Sequence, residues 1–205
     1  MARETITMTS IYQDNLQSRC PDLFNLAEYV LENSYKNPTK NALEIVSKFS
    51  NYSISFEELK SRVLKTGNAL IKLGLNRNAK ILLRLDNTVT FPIAYLGAIS
   101  VGIIPVPTSI SLTEYELLEL VKILQPEAII TSKSLSINLG NMKIISETEI
   151  KKLSFEGDEA NFERGNPDRL AYIVFTSGTS NKPRAVLHAH RAIWARQSMH
   201  SDWYA

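Results

Sequence analysis

The amino-acid sequence predicts an α/β fold: a layered, parallel-rich sheet whose strands are joined by crossover helices. Three observations carry that prediction. Short apolar runs of strand length recur at Ile81–Leu85, Ile103–Val106, Ala128–Thr131 and Leu170–Phe175. Between them lie longer stretches whose apolar residues return at helical spacing. Gly74 and Pro126 sit where such stretches should stop.

The elements follow in order. Ser55 and Glu58 have the form of a capping box, and Phe56, Leu59, Val63, Leu70 and Ile71 then share a helical face up to Gly74. Ile81–Leu85 reads as a strand, Phe91–Val101 as a buried helix and Ile103–Val106 as a second strand. Ser111 with Glu114 repeats the capping-box form ahead of Leu117, Leu120, Val121 and Leu124. Ala128–Thr131 and Lys143–Ile145 are short strands. Ser154–Asp168, polar and carrying Gly157, Gly165 and Pro167, reads as a surface connection. Leu170–Thr176 is a strand, and His190–Trp203 reads as a helix. Residues 1–22 form a tail or a docking segment, and 23–205 the folded domain.

Composition bounds the function. Of 205 residues, 44% are hydrophobic and 21% charged, an ordinary globular balance. A formal net charge of +2 is too small to argue for nucleic acid or an anionic membrane surface, and with neither a basic stripe nor aromatic interleaving no nucleic-acid partner is expected. From Arg164 onward six Lys/Arg face two acids, Asp168 and Asp202, a locally basic end suited to an anionic ligand. Cys20 is the single cysteine, so an internal disulfide and a cysteine-type metal site are excluded. His188, His190 and His200 lack acidic partners at metal-ligand spacing, so no metal site is assigned. The most apolar run, Phe91–Ile104, is shorter than the roughly 20 residues that span a bilayer and is broken by Pro92, Gly97 and Gly102. With no secretory signal visible, a reducing, cytoplasmic setting is expected.

The chemistry concentrates in residues 175–186, Phe-Thr-Ser-Gly-Thr-Ser-Asn-Lys-Pro-Arg-Ala-Val. Thr176, Ser177, Thr179 and Ser180 surround Gly178, and Lys182 and Arg184 flank Pro183. Hydroxyls and free backbone N–H groups donate to phosphate oxygens, glycine allows close approach, and the cations offset charge. A ligand-free Ser/Thr-rich turn has the same composition.

This run resembles the phosphate-binding signature of adenylate-forming enzymes, which include acyl-CoA synthetases, luciferases and peptide-synthetase adenylation domains. Thr176, Ser177, Gly178, Thr179, Pro183 and Val186 match outright, and Ser180 exchanges one hydroxyl for another. Asn181 and Ala185 stand where glycines are usual, and Arg184 where lysine is usual. Upstream, Ser53–Leu59, Leu73-Gly74, Ala79–Leu85 with Asp86-Asn87, and Ala94–Pro107 are similar to the family's earlier landmarks, in the family's order.

The resemblance implies the N-terminal part of an ATP-dependent enzyme that turns a small carboxylic acid into an acyl-adenylate and then a coenzyme A thioester. It implies ATP with Mg2+, and phosphate contacts from Thr176, Ser177, Gly178, Thr179, Ser180, Arg184 and, less centrally, Lys182. His190 falls where the family carries a histidine near the substrate pocket; a structural hydrogen bond is an equal reading of it. His188 reads as a strand residue, and Trp194, Trp203 and Tyr204 as core. The catalytic lysine, the acidic magnesium ligand and the small C-terminal domain are expected outside this chain, which alone should be inactive. Three other readings stay open: a peptide-synthetase adenylation domain, a non-catalytic relic, and a module that binds a nucleotide or a partner.

Overall fold

In the computed structural model, the structure describes residues 19–46, 51–177 and 183–195. Two short helices, α1 (Leu26–Val30) and α2 (Asn33–Lys36), lead into a hairpin of β1 (Asn41–Val46) and β2 (Asn51–Ser55). There follow α3 (Phe56–Lys72), β3 (Lys80–Arg84), α4 (Thr90–Ser100), β4 (Ile104–Pro107), α5 (Glu114–Leu124), β5 (Ala128–Thr131), β6 (Lys143–Ser146) and α6 (Glu147–Leu153). The last two strands are β7 (Leu170–Ser177) and β8 (Pro183–Ala189).

The predicted α/β class holds. β3, β4, β5 and β6 form one parallel sheet in the order β4-β3-β5-β6. Both faces of β3, β4 and β5 are covered, so these strands are buried nearly throughout, whereas β6 at the edge buries only Ile145. Ile81, Leu83, Ala128 and Ile130 point to one side and pack against Leu70 of α3, Ala94 and Ala98 of α4, and Ile150 of α6. Leu82 and Ile129 point to the other, against Leu117 and Leu124 of α5.

The helix ends show how local sequence acted. Ser55 Oγ accepts from Glu58 N at 3.1 Å, but the Glu58 carboxylate lies 3.6 Å from Arg62 instead of closing a capping box. At the other end of α3, Gly74 takes φ +82°, with Gly74 N donating to Ile71 O and Leu75 N to Leu70 O. This is the paired bonding of a glycine-terminated helix. The box predicted at Ser111 sits two residues later: Thr113 caps Glu116 N at 3.2 Å and Glu116 reaches back to Thr113 N at 2.8 Å. Ser111 bonds Ser109 instead, and Glu114 accepts from Ser136 N. Both candidate boxes satisfy the same spacing, and the tertiary bond to Ser136 chose between them.

α3 and α4 meet through glycines. A Cβ on Gly67 would stand 2.9 Å from Gly97 O, and one on Gly97 would stand 3.0 Å from Val63 O. The two backbones approach too closely for any larger residue. α1, β1, β2, α2 and α6 were not predicted; α1, α2 and α6 span only 5, 4 and 7 residues, too short for a helical period to emerge.

One expectation about the sheet is corrected. β7 does not join the parallel ladder; it pairs antiparallel with β8, from Thr176↔Arg184 back to Leu170↔Ala189. Pro183-Arg-Ala-Val-Leu-His-Ala has strand character of its own, and a chain that returns within five residues can pair only antiparallel. β7 still lies beside the sheet, since Ile173 packs with Leu82, Ile104 and Val106. The connection 154–168 is largely exposed, but it is anchored by Glu163, which is 14% exposed at the side chain and takes Arg77 at 2.6 Å.

Gly67→Val should lower stability by about 2 kcal/mol or more, because over-filling this contact forces the helices apart. Chemical denaturation of the two proteins measures it; an unchanged midpoint would show that the helices can separate freely.

Candidate functional site

The β7–β8 hairpin carries the hydroxyl-rich run at its tip. Thr176 and Arg184 are directly opposed across the two strands, as are Ser177 and Pro183. Opposed residues of an antiparallel pair hold their Cβ atoms roughly 5 Å apart, so a hydroxyl and a guanidinium flank the mouth of the loop together. Both are exposed. Gly178, Thr179, Ser180 and Lys182 lie outside the described residues. The closing segment therefore contains the glycine, two hydroxyls and a lysine predicted to contact phosphate. Pro183 begins its strand, a position where a missing N–H costs the ladder little.

Tertiary bonds fix the base of the hairpin. His190 N donates to Arg169 O at 3.1 Å and Arg191 N to Pro167 O at 3.0 Å, while Arg191 pairs with Asp168. Arg169 reaches further, donating to Phe24 O at 2.7 Å and Glu163 O at 2.6 Å. The Glu163 carboxylate also lies 3.3 Å from the Arg169 guanidinium as an ion pair, which offsets the burial of that cation.

His190 is 1% exposed. Its Nδ1 accepts from Leu26 N at 3.0 Å, which places the ring proton of the neutral form on Nε2. It thereby satisfies the first free N–H of α1, and Asn25 Oδ1 accepts the next two, from Ala27 and Glu28. Burial, reinforced by the nearby Arg169 charge, pushes its pKa down to about 4. His190 thus acts as a structural acceptor here.

His188 is a strand residue, as predicted, and its ring stacks on Tyr172 at 4.5 Å with planes 9° apart. Trp194 is partly buried and packs against the core, with its ring 5.9 Å from Phe24 and 5.3 Å from Tyr29. Trp203, Tyr204, His200 and Arg196 lie outside the described residues, as does most of the helix predicted for His190–Trp203; residues 192–195 are helical. Cys20 packs against the cluster of Phe24, Leu26 and Ala171, so the segment before residue 23 ends on the body of the domain. Residues 1–18 lie outside the description. Among the described residues no three His, Cys, Asp or Glu stand close enough to hold a metal ion, and no helix is long and apolar enough to cross a membrane.

Sequence reasoning missed the Glu163–Arg169–Asn25 cluster that anchors the hairpin. These residues are up to 144 positions apart, and each looks like an ordinary surface residue in its own neighbourhood.

Against known proteins, the sequence model of the AMP-binding enzyme family matches residues 31–204. FR901469 synthetase of Dothideomycetidae sp. (strain 11243) is 29% identical over 180 residues, covering 85% of this chain and 1% of the relative. A 4-hydroxybenzoate--CoA/benzoate--CoA ligase of Rhodopseudomonas palustris is 29% identical over 160 residues, covering 67% of this chain and 29% of the ligase. The solved N-terminal subdomain of Klebsiella oxytoca NpsA, in complex with 3-hydroxybenzoyl-AMSN, superposes with a TM-score of 0.73 at 21% identity. It covers 82% of this chain and 42% of that one, a likeness of fold. The chain thus spans less than a third of the length of these curated relatives.

The lowered His190 pKa sets a pH dependence. An unfolded histidine titrates near 6.5 and the folded one near 4, so between these values the unfolded chain holds more protons. Stability is therefore full above pH 6.5 and falls as pH drops towards 4, by on the order of 2–3 kcal/mol. Urea melts across this range should show the slope, and His190→Asn, which retains an acceptor, should flatten it. A wild-type slope retained in His190→Asn would place the effect elsewhere.

Proposed function

Since the chain belongs to the AMP-binding enzyme family, we propose that it is the phosphate-holding part of an enzyme that activates a carboxylic acid with ATP and passes the acyl group to a thiol. The observation that carries this reading is the hairpin, which opposes Thr176 and Arg184 across the mouth of a loop containing Ser177, Gly178, Thr179, Ser180 and Lys182. In the proposed reaction a carboxylate oxygen bonds to the α-phosphorus of ATP as the bond to the β-phosphate breaks. Pyrophosphate leaves. A thiol then attacks the acyl carbon, loses its proton and releases AMP.

Such displacement needs positioned donors and charge neutralisation more than a protein nucleophile. The loop hydroxyls and amides would hold the β- and γ-phosphates, with Arg184 offsetting charge as pyrophosphate separates. Arginine presents a planar fork where lysine presents a point charge, so two phosphate oxygens can be held at once. Mg2+ would arrive with the polyphosphate. His190, buried against Leu26, would act on the substrate pocket only through the hairpin base. Residues 23–205 form part of the AMP-binding domain on this reading, and the catalytic lysine belongs to sequence outside the chain. A single Cys20 suits a reducing, cytoplasmic setting.

Coenzyme A is the thiol we favour, with an aryl acid, because the benzoate--CoA ligase match supports that class. The match to a small fraction of FR901469 synthetase supports a peptide-synthetase adenylation domain as the second reading, in which coenzyme A has no role.

Calorimetric titration of the chain with MgATP and with pyrophosphate is the test. Both should bind, and Arg184→Ala should weaken each about tenfold, the loss of one charge-assisted contact. A chain that binds neither is a relic or a partner-binding module. Acid-dependent ATP–pyrophosphate exchange by the full-length protein, followed by coenzyme A-dependent AMP release, then separates the two thiol readings.

A further inference from the structure

The face of the hairpin that carries Thr176 and Arg184 continues downwards through two more opposed pairs, Val174↔Val186 and Tyr172↔His188. Side chains alternate along a strand, so these six residues share one face. Ala171 and Ile173, on the other face, are buried. At the base, Tyr172 is held on two sides. The His188 ring lies parallel to it at 4.5 Å, and Tyr95 of α4 meets it at 5.7 Å with planes 61° apart. Tyr95 in turn stacks on Phe91, one helical turn earlier, at 6.1 Å. A row of four rings therefore runs from the wall of α4 to the outer strand of the hairpin.

The row sits beside a weak point. The register shifts between Leu170 and Tyr172, leaving an extra residue on β7 directly beneath the Tyr172–His188 pair. A bulge increases local twist and bends its strand. Two strands alone are marginal, and from this bulge Thr176 projects roughly 13 Å along the strand. A rotation of roughly 10° at the base would carry the tip about 2 Å, several times the tolerance of a preorganised site.

We propose that Tyr172 is a positioning residue for Thr176 and Arg184, clamped between Tyr95 and His188 so that the bulged hairpin presents both to polyphosphate in one direction. The inference rests on the phosphate-holding reading of the loop. Tyr172 touches no substrate; it acts through the twist of the hairpin.

The test is a double-mutant cycle on MgATP affinity, read by calorimetry with the 205-residue chain. Tyr172→Leu should weaken binding about tenfold and Tyr172→Phe, which keeps the stack, should bind as wild type. In an Arg184→Ala background Tyr172→Leu should cost little more, because a misdirected arginine has already been removed. Substitutions this far apart normally combine additively, so coupling marks positioning and additivity marks a merely structural role. His188→Ala, which removes a half-buried ring from the outer strand, gives the same cycle should Tyr172→Leu fail to fold. Additive effects, or Tyr172→Leu and His188→Ala binding as wild type, overturn the proposal while leaving the loop reading intact. A wild-type chain that binds neither MgATP nor pyrophosphate overturns both at the loop.

Discussion

The buried side-chain amide of Asn25 is the point on which the placement of the hairpin depends. Its Oδ1 caps α1, and its Nδ2 donates to Ile99 O and Ser100 O at the end of α4 and to Glu163 O in the connection before β7. Three segments of distant sequence thereby share one polar group that is 2% exposed. A buried carbonyl left without a donor costs more than the same bond is worth at the surface. All three segments are consequently held to one arrangement. Around this centre Phe24 bridges Gly165, and Arg169 donates to the carbonyls of both Phe24 and Glu163.

That knot joins two different kinds of structure. One is the parallel sheet, whose strands β3, β4 and β5 are buried between α3, α4 and α6 on one side and α5 on the other, with β6 at its edge. Its stability is a matter of burial and close packing, seen at the Gly67–Gly97 contact. The other is the β7–β8 hairpin, whose outer strand exposes Val186 and Leu187 and whose last opposed residues before the closing loop include the exposed Thr176 and Arg184. On the proposed reading the loop between these strands takes a highly charged ligand, a task that a segment sealed into an apolar core could not perform. Its direction comes from below: from Ile173 against the sheet, from the ring row of Tyr95, Tyr172 and His188, and from His190 bound to the start of α1. Site chemistry and site geometry are thus supplied by different residues.

Much of the sheet was legible in the sequence. Ala128–Thr131 is a strand with the predicted bounds, and α3, α4 and α5 lie within one or two residues of prediction, because the period of burial is written into their apolar residues. The displaced cap at Thr113 and the unpredicted α6 show the limit: Ser146 with Glu149 carries the same cap spacing, and nothing local says which such pairs are used. The run from Thr176 to Arg184 stood out in the sequence by residue type, its hydroxyls, glycine and cations being the composition on which the phosphate-holding proposal rests.

By itself, then, the sequence determined the α/β class, the positions of the main helices and parallel strands, and the hydroxyl-rich run on which the functional proposal rests. Periodicity and residue type are local properties, readable without knowing what lies across the fold. Tertiary structure alone decided that β7 turns back on β8, that Thr176 faces Arg184, that His190 serves α1 and that Asn25 ties three segments together. These depend on which backbone groups are left unpaired once the core has closed. That quantity belongs to the folded chain, and no stretch of sequence contains it.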